Sequence, residues 1–356
     1  MPDKRPYRIR RIFLWLFGSL ALLIVSAIGI GCAIFDAPKY EGPSSDHFDG
    51  DVFLNRNPRQ QAATDIVRWM LDRDLGPWRD WVDTLPGPPP PERVDDLRVT
   101  FVNHSTTLIQ YRGLNILTDP VWSDRVGPAN MVGPVRHRRP GIRLADLPPI
   151  DIVIISHNHY DHLDLPTLRT LARLHSPTIY LPLGNKALLD QEEIPGAIDL
   201  DWWQNDSLGA GVSITCVPAT HFSGRGLGDR DANLWSGFVI DGPGGSIYFA
   251  GDTGWGPHFE EIRRRFGAVR LALLPIGAYR PRWFMAPIHI DPQDAIRAHG
   301  VLGARTSMAI HFGTFLQADD GEFEPVRDID SLVALAPDPK PRFWVLRHGE
   351  GRDVGN

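Results

Sequence analysis

The stretch Ser156-His157-Asn158-His159-Tyr160-Asp161-His162-Leu163-Asp164 constrains this chain more than any other. The apolar run ending in Ile152-Val153-Ile154-Ile155 reads as a buried strand that delivers it, and a helical pattern follows. Three histidines and an aspartate within six positions offer imidazole and carboxylate donors, the set that suits zinc. At an irregular strand end, alternate side chains converge, so His157 and His159 can share one ion. Asp161 and His162 would then face a second. Solvated loop histidines are the bland alternative, and the preceding apolar strand argues against it.

One short motif cannot fill two tetrahedral sites, so further ligands must come from downstream. His221 follows Val217-Pro218-Ala219-Thr220, Asp252 follows Tyr248-Phe249-Ala250-Gly251, and His311 follows Met308-Ala309-Ile310. Each stands at the end of an apolar run. Read singly, the two histidines could be core residues and Asp252 a turn residue. Read together, they complete a set: His157, His159, His221 and Asp252 for one zinc, and Asp161, His162, Asp252 and His311 for the other. A bridging Asp252 would hold two metals within about 4 Å. Ser156 and Thr253 are the expected outer support.

Around this motif, short apolar runs read as strands at Val99–Val102, Thr107–Tyr111, Ile116–Leu117, Ile152–Ile155, Ile214–Val217, Ser236–Ile240, Ile247–Ala250, Leu271–Leu274, Met308–Ile310 and Phe343–Leu346. Helices are expected over Gln60–Asp74, Leu165–Leu174, Phe259–Phe266 and Pro292–His299, the last with Asp291 as N-cap and proline in its first turn. This is an α/β chain, with two sheets and helices outside them. Apolar content of 42% and charged content of 22% suit a globular protein. A net charge of −6 gives no sign of a nucleic-acid partner. Cys32 and Cys216 form no disulfide framework.

The run from Ile12 to Phe35 carries no charge and is long enough to span a bilayer as a helix. Lys4, Arg5, Arg8, Arg10 and Arg11 precede it and Asp36 follows. The positive-inside rule keeps residues 1–11 cytoplasmic and sends the rest across, to the periplasmic side. Arg10-Arg11-Ile12-Phe13-Leu14 also resembles a twin-arginine export signal, but the long apolar run and the lack of an A-x-A site favour an uncleaved anchor. Residues 36–96 read as an arm, a short helix and the stiff linker Pro86-Gly87-Pro88-Pro89-Pro90-Pro91, ahead of a catalytic domain at 97–350.

Between Leu97 and Glu350 the chain resembles the N-acylphosphatidylethanolamine-hydrolysing phospholipase D family of the metallo-β-lactamase superfamily. The likeness is carried by Leu117-Thr118-Asp119-Pro120, the histidine motif, Asp201-Trp202-Trp203, Phe249-Ala250-Gly251-Asp252-Thr253-Gly254, Pro281-Arg282-Trp283-Phe284-Met285 and Ser307-Met308-Ala309-Ile310-His311. Arg280 stands where the family usually has glutamate. The resemblance implies a four-layer αββα sandwich, two zinc ions per chain at the seven ligands, and phosphodiester hydrolysis, with Asp161 and His289 as catalytic residues. His289 would act as general acid or as a substrate-orienting group. It implies a phospholipid substrate; the anchor makes the membrane bilayer a partner, and a homodimer is left open. Arg280 or Arg282 could meet phosphoryl charge or be solvated surface arginines, and Arg136, His137, Arg138 and Arg139 could meet lipid headgroups, though a solvated charge run is the plainer reading; Trp122, Trp202, Trp203, Trp283, Phe284 and Met285 could shape an acyl-chain groove, though ordinary core is the plainer reading. Other readings are a lactonase or nuclease on the same fold, an iron redox protein, or a metal-binding envelope scaffold.

Overall fold

The structure, a computed structural model, describes residues 15–20, 29, 35–56, 61–209 and 211–355. The run 12–35, expected to cross a membrane, lies mostly outside these; its described residues, 15–20, 29 and 35, are helical. Among the described residues, no helix is long and apolar enough to cross a membrane.

Two seven-stranded mixed sheets form the body. The first contains β1 (Leu97–Asn103), β2 (Thr106–Tyr111), β3 (Leu114–Thr118), β4 (Ile152–Ile154), β5 (Thr178–Pro182) and β6 (Ala197–Leu200), in that order. The second places β7 (Asn205–Gly209), β8 (Val212–Val217), β9 (Gly237–Asp241), β10 (Ile247–Phe249), β11 (Leu271–Pro275), β12 (Thr306–Ile310) and β13 (Phe343–Trp344) side by side. The chain then returns to the first sheet, where β14 (Gly351–Asp353) pairs antiparallel with β1. The helices are α1 (Ala63–Leu71), α2 (Leu165–His175), α3 (Lys186–Gln191), α4 (His258–Phe266), α5 (Arg282–Met285), α6 (Pro292–Leu302) and α7 (Glu324–Leu335).

Alternation along the strands sorts side chains between layers, because successive residues point to opposite faces. In β4, Ile152 and Ile154 join the core cluster that includes Ile214, Phe238 and Tyr248 of the second sheet. Val153 and the following Ile155 point the other way, against Leu168 and Leu171 of α2 and Leu188 and Leu189 of α3. Phe259 and Ile262 of α4, with Ala295, Ala298 and Leu302 of α6, cover the second sheet. Asp291 caps α6 through its carboxylate, which accepts the Asp294 amide at 2.8 Å. The strands β5, β6, β7 and β14 and the helices α3, α5 and α7 add to the elements expected from sequence. The proline-rich segment lies against the body, with the Gly87 amide donating to the Gly141 carbonyl at 2.7 Å.

The arm is fastened to the body. Phe48 and Phe53 are buried in the core cluster, and Tyr40 meets Phe48 edge-on at 5.0 Å. His47 sits between Asp46 (2.6 Å) and Asp201 (2.8 Å), with its ring stacked on Trp202 at 4.5 Å. Burial, the largest influence on His47, pulls its pKa down, but hydrogen bonds to Asp201 and Asp46 outweigh it and the net shift is upward. A raised folded-state pKa means stability that is fully present below the unfolded value, near 6.5, and lost as pH rises through the folded value. The melting-temperature gap between the natural chain and a His47→Gln variant should therefore be widest near ~pH 5.5 and shrink toward ~pH 9. A gap that does not change with pH would show that the clamp works with neutral imidazole.

Candidate metal centre

The topology aligns the strand ends that carry the chemistry. In the first sheet, β3 and β4 run parallel, so their C-terminal ends share one edge. In the second, β10, β11 and β12 run parallel, and β8 shares their direction because β9 is antiparallel to both β8 and β10. Loops leaving these ends carry Asp119 after β3, residues 157–162 after β4, His221 after β8, Asp252 after β10, His289 after β11 and His311 after β12. Ligand sites in α/β sheets form outside the carboxyl ends of strands for this reason.

The structure brings all seven expected ligands and His289 around one space. His157 Nε2 lies 2.8 Å from His159 Nδ1, which is 3.4 Å from His221 Nε2. Asp252 Oδ2 lies 3.2 Å from His162 Nε2, 3.0 Å from His311 Nε2, 3.8 Å from His221 Nε2 and 4.0 Å from His289 Nδ1. Asp161 Oδ2 is 3.0 Å from His162 Nε2 and 3.7 Å from His311 Nε2. Donor atoms fall into groups within 4.8 Å of one another: His157, His159 and His221; Asp161, His162 and His311 with His104; and two groups that share Asp252.

The tautomers are set from behind. His157 Nδ1 meets Ser156 Oγ (2.9 Å), His162 Nδ1 meets Asp119 Oδ2 (2.6 Å), and His221 Nδ1 donates to the Ile288 carbonyl (3.0 Å). With Nδ1 occupied, each Nε2 is left to face the common space, as outer partners arrange for metal-binding histidines. Among the described residues, His162 Nε2, His311 Nε2, His289 Nδ1 and Asp252 Oδ1 are buried without a hydrogen bond of good geometry. Buried polar groups left so are costly, and a divalent cation would satisfy them together. The residues present therefore fit a metal.

Charge follows the same pattern. Burial, reinforced by neighbouring imidazoles, holds His157 well below its ordinary pKa, and burial brings His159 to about 4 and His104 and His289 to about 3. Burial would raise Asp161 and Asp252, but His162 beside both, with His104 and His311 on Asp161 and His311 on Asp252, keeps them well below the usual carboxylate range. The two carboxylates in turn overcome burial at His162 and His311, raising the latter to about 9. Anionic carboxylates flanked by imidazole nitrogens form a cation-binding set.

Backbone geometry supports this crowding. His104, Asp119 and His311 occupy the left-handed region, with φ of 47°, 33° and 58°. Such conformations cost about 1–3 kcal/mol each in side-chain-bearing residues and cluster at functional sites. Gly251 has φ of 59°, and a Cβ there would lie 2.5 Å from the Ser156 Cβ. Only glycine lets the strand turn so closely before Asp252.

Four participants were not identified from sequence. His104 Nε2 meets Asp161 Oδ2 at 2.8 Å, and Gln317 Nε2 donates to the same oxygen at 2.6 Å. Asp119 braces His162 and accepts both the amide (2.7 Å) and hydroxyl (2.6 Å) of Ser156. Asn55 of the arm holds the His221 backbone on both sides, donating to its carbonyl at 2.6 Å and accepting its amide at 3.1 Å. Thr253 Oγ1 accepts the Thr220 amide at 2.9 Å, a supporting place next to Asp252.

The structure decides between several alternative readings. Arg280 is paired with Glu324 at 2.8 Å, and Arg282 with Asp291 (3.1 Å) and Asp294 (3.0 Å), so neither guanidinium is a free cation for phosphoryl charge. Arg282 instead donates to the His289 carbonyl at 2.8 Å. Arg136 and Arg138 are buried, the latter bonded to Glu322, and are in no position to meet headgroups. Trp202, Phe284 and Met285 are buried, and Trp122 and Trp203 pack against core clusters; of the aromatic set only Trp283 is well exposed.

Two facing sheets with a histidine–aspartate centre at one edge define a class of metal-dependent hydrolases. Residues 114–312 match the family described as a beta-lactamase superfamily domain. An isothiocyanate hydrolase from Delia radicum gut bacteria shares the fold, with a TM-score of 0.58 at 19% identity, covering 72% of this chain and 98% of that one. N-acyl-phosphatidylethanolamine-hydrolyzing phospholipase D 1 of Caenorhabditis elegans is 39% identical over 261 residues, 70% of this chain and 73% of that protein. An uncharacterized protein of Mycobacterium tuberculosis is 41% identical over 335 residues, 91% of this chain and 86% of that one. The chain belongs to the N-acylphosphatidylethanolamine-hydrolysing phospholipase D family of the metallo-β-lactamase superfamily.

Asn55 lies outside the matched superfamily domain, yet it fixes the backbone of His221. An Asn55→Ala variant should bind metal about 10-fold or more weakly, the usual cost of losing an outer partner. Chelator competition, with circular dichroism to show an intact fold, measures this. Unchanged affinity would reduce Asn55 to a fastener of the arm.

Proposed function

We propose that this chain is a binuclear zinc phosphodiesterase that hydrolyses N-acylphosphatidylethanolamine-type phospholipids to phosphatidic acid and N-acylethanolamine. The observation that carries the reading is Asp252 Oδ2, placed within 4.0 Å of nitrogens of His162, His311, His221 and His289. One carboxylate oxygen between two donor groups is what a shared pair of cations requires. His157, His159 and His221 would hold one zinc, Asp161, His162 and His311 the other, and Asp252 both. The family relationship supports the substrate class. An N-terminal membrane anchor over 12–35, with the catalytic domain on the extracytoplasmic side, is part of the same proposal and rests on the uncharged run and the basic residues before it.

Zinc, when bound, supplies a Lewis acid for a phosphoryl oxygen and an acidified water as nucleophile. The chain's own side chains do the rest. Asp161 stays ionised and is held in one rotamer by His104 and Gln317. Asp119 fixes His162, and Ser156 fixes His157, so that both present Nε2 inward. Hydrolysis adds water across the P–O bond to the N-acylethanolamine, and the leaving oxygen must receive a proton. His289 is buried and its pKa is pushed down to about 3, which leaves it neutral. A neutral imidazole is a poor proton source at pH 7 but a good hydrogen-bonding group. Of its two expected roles, we take orienting the phosphodiester. Arg282 braces it by donating to its backbone carbonyl.

The decisive measurement pairs metal analysis of the full chain with mass spectrometry of products from N-acylphosphatidylethanolamine vesicles. About two zincs per chain and both products are expected. Iron without zinc, or cleavage at another bond, would sink the reading. Asp252→Asn should lose metal and more activity than the ~10–100-fold typical of outer partners. His289→Ala should keep its metal and lose on the order of 100-fold in kcat, as expected when a substrate is misplaced by about 1 Å. Full turnover in that variant would remove His289 from the site's chemistry.

A further inference from the structure

Arg280 and Arg282 are bound to carboxylates, and Arg225 is buried with its guanidinium on the carbonyls of Asn158 (2.8 Å) and Leu163 (2.9 Å). Among the described residues the lysines are engaged elsewhere. Lys39 and Lys186 pair with Asp51 and Asp190, and Lys340 donates to the Ala334 carbonyl. Arg230 differs. Its side chain is 41% exposed, and its carboxylate contact, Nε to Asp231 Oδ2 at 3.5 Å, is too long for a good hydrogen bond. That contact leaves open the two Nη groups, the planar fork with which arginine meets carbonyl and anionic oxygens.

The loop after β8 folds back on itself and brings that fork beside the metal ligands. The Asp231 amide donates to the Ser223 carbonyl at 3.0 Å, and the Phe53 amide of the arm donates to the Asp231 carbonyl at 2.7 Å. A Cβ at Gly224 would lie 3.4 Å from the Arg230 Cα, so the two limbs of the loop touch. Arg230 is thereby fixed against Phe222, with its guanidinium carbon 4.3 Å from the centroid of that ring. The face of an aromatic ring attracts a guanidinium, which holds the side chain there in spite of its exposure. The same ring meets His159 edge-on at 4.4 Å and lies 4.9 Å from the ring of His221. Arg230 thus stands one aromatic ring away from two ligands of the same proposed zinc. At that remove it cannot share an oxygen that the metal holds, but it can meet what is attached to the phosphate.

We propose that Arg230 is a specificity-determining residue that reads the headgroup nitrogen of the substrate. In an ethanolamine headgroup this nitrogen lies two carbons beyond the phosphate oxygen. Unacylated, it is an ammonium, and a guanidinium facing it repels it. N-acylated, it is a neutral amide whose carbonyl oxygen accepts a hydrogen bond from the guanidinium fork. One side chain therefore favours the acylated headgroup and opposes the free amine, joining attraction to repulsion as selective sites do. The proposal rests on the phosphodiesterase reading of the centre and adds to it the group that chooses among phospholipids.

The test uses the full zinc-loaded chain in its natural form and as Arg230→Gln and Arg230→Lys. Two water-soluble probes are titrated by calorimetry: glycerophospho-N-acetylethanolamine, which carries the amide, and glycerophosphoethanolamine, which carries the ammonium. The natural chain should bind the amide probe about 10-fold more tightly than the amine probe. Arg230→Gln should bind both alike, and Arg230→Lys should keep most of the preference, because it keeps the charge. Arg230→Gln should also cleave unacylated phosphatidylethanolamine faster than the natural chain does, a gain that damage to the fold or the metal centre would not produce. No preference in the natural chain, or one that survives unchanged in Arg230→Gln, overturns the proposal. Loss of zinc from Arg230→Gln overturns it too, and reduces Arg230 to a brace that holds Phe222 against His159 and His221. Binding is read without turnover, so the two readings fail separately. A chain that shows the preference yet releases no N-acylethanolamine loses the phospholipase assignment, while Arg230 keeps its role.

Discussion

The structure depends on a carboxylate removed from water and surrounded by imidazoles. Taking such a charge into a low-dielectric interior costs several kcal/mol, which must be offset by charges of opposite sign. His162 and His311 supply that offset, drawn to Asp252 and Asp161 by the same attraction that raises their own pKa values. A divalent cation held by the same atoms binds neutral imidazole, so it takes the place of a proton there. Metal binding and proton release are therefore coupled here.

That constraint also accounts for the relation between the sheets. Asp252 leaves the second sheet at β10, whereas His162 comes from the loop after β4 in the first. The two meet only if the sheets face each other with their C-terminal edges in line. His104, at the end of β1, reaches Asp161 through its ring and the His311 amide through its carbonyl at 2.8 Å. The centre thus works as a rivet through both sheets, in addition to the apolar core between them.

Much of this was legible in the sequence because ligand chemistry and apolar runs coincide. The motif at 157–162, and single ligands at the ends of the runs before His221, Asp252 and His311, required no knowledge of pairing. His104 was not legible: it is a lone histidine in a polar turn, and its partner Asp161 is 57 positions away. Asp119 stood in view in Thr-Asp-Pro, but its role behind His162 exists only once β3 and β4 pair. The edge strand β7 is Asn-Asp-Ser-Leu-Gly, poor in strand-forming residues, and is held by its ladder to β8. The arginines misled in the opposite direction. Read alone, a guanidinium looks available; Arg280 and Arg282 are bound to carboxylates that come from α7 and the start of α6.

The arm was read as an extended connector, and it proves to be part of the site. Phe53 donates to the Asp231 carbonyl (2.7 Å), Ala37 to the Asp229 carboxylate (2.8 Å), and Tyr40 to the Ala232 carbonyl (3.1 Å), lacing the arm along the loop after His221. Asn55 completes the lacing at His221 itself. A segment that holds a ligand loop at one end and joins the N-terminal run at the other leaves little slack between them. A floppy tether would let the domain sample all orientations above a surface, and the gain in effective concentration would be spread over unproductive ones. Were the run the proposed anchor, a short, laced arm would confine the domain to orientations in which the His221 loop stays near the point where the run ends. The backbone contacts on that ligand-bearing loop would then couple placement of the domain to the geometry of its metal centre.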